Sequence, residues 1–273
     1  MKDVTFGQYY PANSFVHKMD PRVKILLTIA YIVAVFLVRS FHFLGFLACF
    51  VYLIIAVICA KVNFFKILRS VKVILFFVIF SAVLQIFFNG DGNVVLTLGK
   101  VKITDHGLLN AGFIVARIVL VVMGASLLTL TTSPIELADG IESLLTPLKL
   151  IKFPVHEFAL IMSIALRFIP TLLDETDRII KAQKARGADF ESGNLFKRAK
   201  ALVPVLVPLL ISSLRRADEL ADAMDARCYA GSKKRTKYKK MIPTFRDLIG
   251  IIIMAGLITG VVFLNKFYLF LLI

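Results

Sequence analysis

The chain has 273 residues, is 58% hydrophobic, and combines a mean hydropathy of +0.82 with a net charge of +15. Ordinary soluble domains sit near half apolar with balanced charge, so this pairing excludes that class. It points instead to apolar spans alternating with basic loops. A pI near 9.9 would suggest nucleic acid in a soluble protein. Here the basic residues stand beside apolar runs, so no nucleic-acid partner is expected.

The opening segment, MKDVTFGQYYPANSF, has no apolar run behind a short basic start. No cleaved signal peptide is expected, and the first span directs insertion itself. Apolar spans then follow at 23–38, 41–60, 71–88, 107–130 and from 248 to the C-terminus, the last interrupted by Asn265 and Lys266. The first is only just long enough, because a helix needs about 20 residues to cross a core of about 30 Å. Residues 94–104 (VVLTLGKVKIT) alternate apolar and polar around Gly99 and read as a small external β-hairpin.

Lys and Arg set the orientation. The 131–246 segment holds 20 of the 33 basic residues. Lys2, Lys18, Arg22 and Lys24 precede the first span, and Lys61, Lys66, Arg69 and Lys72 follow the second. The opposite side carries only Arg39, Lys100, Lys102 and Lys266. The positive-inside rule therefore places the N-terminus in the cytoplasm and the C-terminus outside, which five spans satisfy. The expected fold is an all-α polytopic membrane protein with five transmembrane helices and three amphipathic cytoplasmic helices. Residues 1–130 form a membrane part with four spans, 131–246 a cytoplasmic region, and 247–273 the last span.

Three helical stretches fill the cytoplasmic region. Ser133-Pro134-Ile135-Glu136 is a capping box with proline at the first helical position. Leu137, Ile141, Leu144, Leu145 and Leu148 then share one face, and Pro147 and Pro154 bracket the end. The second stretch, 155–187, is apolar through FALIMSIALRFIPTLL and charged after Asp174. The third, 195–230, repeats that plan: apolar through LVPVLVPLLI, then charged from Arg215. Pro170 interrupts one, Pro204 and Pro208 the other, and each proline is expected to bend its helix. Neither stretch reads as an extra span. Arg167 breaks the first, and 201–214 is too short.

Two similar endings stand out: Ala185-Arg186-Gly187 and Ala226-Arg227-Cys228. As docking tips, their small residues let a helix end enter a groove and their guanidinium groups pair with carboxylates. As helix caps, the small residue takes the left-handed position and the arginine favours the helix dipole. Both readings stand at this level. Phe158, Ile161, Met162, Ala165 and Phe168 fit one helix face, as do Leu210, Leu214, Ala217, Ala221 and Met224. Any remainder left uncovered by mutual packing implies a partner or the bilayer interface.

The spans contain no Asp or Glu, the residues by which carriers and pumps bind ions. Their one strongly internal charge is Arg117, placed either to serve a ligand or to pair with a polar group on a neighbouring helix or subunit. The run Lys233, Lys234, Arg235, Lys237, Lys239 and Lys240 reads as a topology signal touching anionic lipid. Cys49, Cys59 and Cys228 lack metal spacing and read as small apolar fillers. His17, His42, His106 and His156 fall in separate segments. There is no phosphate-binding glycine loop and no nucleophile with an evident base, so neither catalytic nor metal-binding residues are expected.

At this point the chain resembles EcfT, the transmembrane coupling component of energy-coupling factor transporters, which belong to the ATP-binding cassette class. Gly7-Gln8-Tyr9-Tyr10-Pro11, Ser14, His17 and Met19-Asp20-Pro21-Arg22-Lys24 are similar to that family's opening segment. Ser133-Pro134 through Asp139 and Leu144 resembles its first coupling helix. Ala165-Leu166-Arg167-Phe168-Ile169-Pro170 with Ala185-Arg186-Gly187 resembles the second, and Arg215-Arg216-Ala217 with Ala226-Arg227-Cys228 the third. Cys228 replaces a glycine. The resemblance implies that two cytoplasmic ATPases, of EcfA and EcfA′ type, each receive one arginine tip. ATP and Mg are held by those partners, and no cofactor by this chain. It also implies a membrane S component that binds a vitamin and docks on the apolar faces, at Phe158, Met162, Leu210 and Leu214. The alternatives are a self-contained carrier or channel, and an intramembrane enzyme.

Overall fold

The computed structural model describes residues 9–39, 43–88, 94–98, 101–147, 154–190, 194–229, 231 and 243–271. The basic run 233–240, Gly99, Leu148, His42 and the Gly7-Gln8 pair lie outside the described residues. Eight helices and one hairpin are present among those described: α1 (Pro21–Leu37), α2 (Phe43–Ala60), α3 (Phe64–Phe88), β1 (Val94–Leu98), β2 (Val101–Thr104), α4 (Asp105–Thr131), α5 (Pro134–Leu144), α6 (Val155–Ala185), α7 (Leu195–Ala226) and α8 (Phe245–Leu271). They form two compact units, one of 7–155 with 241–273, the other built on 156–240.

In the first unit, α2, α4 and the Phe245–Lys266 part of α8 are long and apolar enough to cross a membrane. A fourth candidate lies in α3, bent by 61° between its Phe64–Lys72 and Ile74–Phe87 parts. The expected first span is as short as the sequence suggested: α1 has 17 residues, or about 25 Å at 1.5 Å per residue, less than the hydrocarbon core of about 30 Å. Length and composition thus support three spans, or four with α3, rather than five. The hairpin is present, with β1 and β2 antiparallel and Val94 opposite Thr104.

The end of α1 has partners on two other helices. A helix leaves its last carbonyls without partners, and apolar surroundings offer none. Arg117 of α4 donates from Nη2 to the Val38 carbonyl, and Asn265 of α8 donates from Nδ2 to the Leu37 carbonyl at 2.8 Å. The Arg117 guanidinium also stands 5.5 Å from the Phe46 ring. Arg117 and Asn265, the interruptions of two apolar spans, are end caps for a third helix. A cation at that end also favours the helix dipole.

Between these termini the helices pack through a buried core that includes Tyr31, Val35, Cys49, Leu53, Met123, Met254 and Val261. Gly124 lets α4 approach α1 closely: a Cβ there would fall 2.5 Å from the Tyr31 ring.

At the other end of α1 a buried polar knot ties the helices together. Asp20 caps α1 by accepting from the Arg22 N–H, while its own N–H donates to Asp247 Oδ1 at 2.9 Å. Asp247 Oδ2 accepts from the Thr244 N–H at the start of α8. Lys24 is 4% exposed, and its Nζ donates to the His17 and Thr131 carbonyls and to Thr132 Oγ1. A buried ammonium demands this many acceptors. Thr131 and Thr132 lead into α5, whose capping box forms as expected between Ser133 and Glu136. Residue Gly140 lets α5 lie against α1, since a Cβ would come within 3.1 Å of Ile25 and 3.2 Å of Pro21. Accordingly α5 belongs to the first compact unit, and the division between units falls at 155/156, not at 130/131.

The second unit is built on α6 and α7, each a continuous helix with its prolines inside. Leu160 and Ser163 share a crevice with Arg227 and Tyr229, whereas Leu172 shares one with Ser213. The two helices therefore run antiparallel.

Candidate functional site: paired arginine tips

Each tip is built by a complete Schellman motif. In α6 the Ala188 N–H donates to the Gln183 carbonyl and the Gly187 N–H to the Lys184 carbonyl, both at 3.0 Å. In α7 the Tyr229 N–H donates to the Met224 carbonyl at 3.0 Å and the Cys228 N–H to the Asp225 carbonyl at 2.8 Å. These are the two bonds by which a helix satisfies its last carbonyls and stops. The residue after each arginine has positive φ: +88° at Gly187 and +56° at Cys228. Glycine takes that conformation freely, whereas cysteine in it costs about 1–2 kcal/mol. Gly187 thus serves as the C′ residue that the capping reading expected, and Cys228 takes the same place at that cost.

Capping leaves the arginines themselves unused. Arg186 and Arg227 both occupy the last half-helical position and are exposed. Among the described residues neither side chain has a hydrogen-bonding or carboxylate partner. Because the helices are antiparallel, the tips project from opposite ends of the pair.

Between the tips the helices meet on an apolar floor of Ile164, Phe168 and Leu172 against Leu220, Ala221 and Met224. Polar contacts cross it at Glu175. Glu175 accepts from Ser212 Oγ on one carboxylate oxygen and pairs with Arg216 on the other. Glu175 precedes Arg186 by eleven residues, as Arg216 precedes Arg227. Each tip therefore stands about 16 Å along its axis from this pair. Reading the sequence alone missed the pair. Its signal was the equal offset of opposite charges on two similarly ended helices.

The predicted apolar faces divide. Phe168 of α6, and Ala217, Ala221 and Met224 of α7, turn into the crevice. Phe158, Ile161 and Met162 are 37–64% exposed, and Leu210 and Leu214 are 62% and 58% exposed. Mutual packing half-buries Phe168 and Met224 and leaves Ala217 and Ala221 exposed. Asp247 was also missed, although Thr244 and Asp247 have the spacing of a capping box before an apolar run. No cluster of three or more His, Cys, Asp or Glu suited to a metal occurs among the described residues.

Helices of this length and polarity define an integral membrane protein, with an amphipathic helix pair ending in exposed cations. Comparison with known proteins narrows the class. The CbiQ family model, described as cobalt transport protein, matches residues 12–238. The chain is 54% identical over 250 residues to the energy-coupling factor transporter transmembrane protein EcfT of Clostridium kluyveri, covering 91% of this chain and 92% of that one. It is 50% identical to EcfT of Ruminiclostridium cellulolyticum (91% and 92% covered) and 43% identical to EcfT of Bacillus subtilis (94% and 98% covered). The chain belongs to the CbiQ/EcfT family, the transmembrane components of energy-coupling factor transporters.

Proposed function

We propose that this chain is the non-catalytic coupling subunit of its transporter. It joins ATP hydrolysis by two cytoplasmic ATPases to substrate uptake by a membrane S component. ATP and Mg reside on the ATPases, and the vitamin or other micronutrient on the S component. The subunit sits in the plasma membrane with its N-terminus in the cytoplasm and its C-terminus outside, and α1 counts as a fifth, short span.

One observation carries the reading: two helices of the same unit end in the same motif and present, in opposite directions, arginines that are unpaired among the described residues. A pair of ATPases offers two carboxylate-bearing grooves, and two tips of like chemistry suit two such receptors. The exposed Phe158, Met162, Leu210 and Leu214 supply an apolar surface for the S component.

Charge reversal tests the tips. Arg186→Glu and Arg227→Glu are expected to weaken recovery of the ATPases with the affinity-purified chain by at least tenfold each, because breaking a buried charge pair costs about 2–5 kcal/mol. A double reversal that leaves both assembly and uptake intact refutes this role. Leu210→Ser with Leu214→Ser is expected to reduce S-component recovery more than ATPase recovery. Equal loss of both would argue for a folding defect. A self-contained carrier or channel predicts transport by the purified chain alone in proteoliposomes, and the coupling role predicts none.

A further inference from the structure

A half-open cavity of about 130 Å³ lies in the first unit, lined by α1, α2, α4 and α8 beneath the segment that precedes α1. Its walls are apolar, built by Leu27, Tyr31, Leu53 and Leu127 and by the bare backbones of Gly124 and Gly250. A dry apolar cavity of about 150 Å³ takes up an apolar guest of benzene size in preference to water. A partner helix, about 10 Å across, does not fit. The rim is exposed: Phe15 by 37%, Ile55 by 49% and Ile253 by 47%. Ile55 and Ile253 belong to α2 and α8, two of the membrane-crossing helices, so the rim opens on hydrocarbon.

The cavity sits at the end of the bundle where α1 and α8 begin and α2 and α4 finish. That end is basic, with Lys18, Arg22, Lys61 and Arg246 near it in sequence. Lys24 lines the cavity, but its three donors are already taken by protein oxygens. Arg246 differs. Its guanidinium stands 6.0 Å from the ring of Phe15 at the rim. Its acidic neighbour Asp247 is turned into the buried knot, accepting from the Asp20 and Thr244 N–H groups. Among the described residues no carboxylate pairs with Arg246.

The geometry points to a bound anionic phospholipid of the surrounding bilayer: one acyl chain enters the cavity between α1, α2, α4 and α8, and the phosphate meets the Arg246 guanidinium. Hydrocarbon supplies the guest that the walls select, and an anionic headgroup supplies the charge that Arg246 lacks. Basic residues at a membrane surface favour anionic lipid by about fivefold each.

The test is native mass spectrometry of the full-length chain, purified in mild detergent and equilibrated with phosphatidylglycerol or phosphatidylcholine. The wild type is expected to retain one phosphatidylglycerol about fivefold more strongly than phosphatidylcholine. Arg246→Gln, a surface change, is expected to erase that preference while leaving some retention of both. Ala56→Phe, which fills the cavity from its α2 wall, is expected to reduce retention of both lipids at unchanged elution volume. Equal retention of the two lipids by the wild type overturns the proposal, leaving an adventitious hydrocarbon contact only. So does a preference that survives Arg246→Gln. If Ala56→Phe fails to fold, the Arg246→Gln comparison decides alone.

Discussion

Replacing Glu175 by glutamine keeps the shape of the α6–α7 crossing and removes its charge. The carboxylate serves both Ser212 and Arg216, with side-chain exposures of 20% for Glu175 and 30% for Arg216. A hydrogen bond to a charged group contributes about 1.5–3 kcal/mol when buried, and partial exposure here lowers the expectation to about 1–2 kcal/mol. Arg216 already has one buried nitrogen, Nη1, without a partner, and its cation would lose the counter-charge that Glu175 supplies. The apolar floor remains, and the helices are expected to stay associated with a looser crossing angle. With a lever of about 16 Å on each side, a change of about 10° moves each tip by about 3 Å. Double electron–electron resonance between labels at Cys228 and Ala188→Cys, with Cys59→Ser, reads that separation. A broader distance distribution is expected for Glu175→Gln. The charge-swapped pair Glu175→Arg with Arg216→Glu is expected to restore part of the narrowing. A distribution unchanged by Glu175→Gln would refute the idea that this pair fixes the tips.

Two further outcomes follow from local geometry. Cys228→Gly relieves the left-handed strain at the second tip and is expected to add about 1 kcal/mol of stability, read as a higher melting temperature with ATPase recovery unchanged. Arg117→Met leaves the Val38 carbonyl without its donor and is expected to cost about 1–3 kcal/mol, read as a lower melting temperature in detergent. Arg117→Lys should recover part of that loss, and equal melting of all three proteins would contradict the capping role.

Local chemistry was legible before the structure. The Ser133–Glu136 capping box, the hairpin at 94–104 and three long apolar spans follow from patterns within a few residues of each other. What escaped is relational. The carbonyls at the end of α1 are satisfied by Arg117 and Asn265, about 80 and 230 residues away in sequence. Lys24 read as an ordinary flanking charge and Asp247 drew no reading, yet Lys24, Asp20 and Asp247 are buried, each with a partner on another element. The helical faces of α6 and α7 were correctly periodic, but periodicity does not say how far along each helix a neighbour extends. Hence Phe168 and Met224 are half-buried, whereas Met162 and Leu210 are exposed.

The position of the prolines bears on how a tip could transmit force. From Glu175 to Arg186 and from Arg216 to Arg227 there is neither proline nor glycine, so each tip is an unbroken hydrogen-bonded rod back to the crossing pair. Pro170, Pro204 and Pro208 all lie beyond that pair. Each removes a backbone donor and weakens its helix locally. The exposed Phe158, Met162, Leu210 and Leu214 lie on that same side. A displacement applied to the tips thus reaches the crossing with little loss. Bending is left to the segments that carry the apolar surface, where a docked membrane partner would feel it. On the proposed function this division is what a lever between ATPases and an S component needs: stiff where it is pushed and compliant where it must follow a second protein.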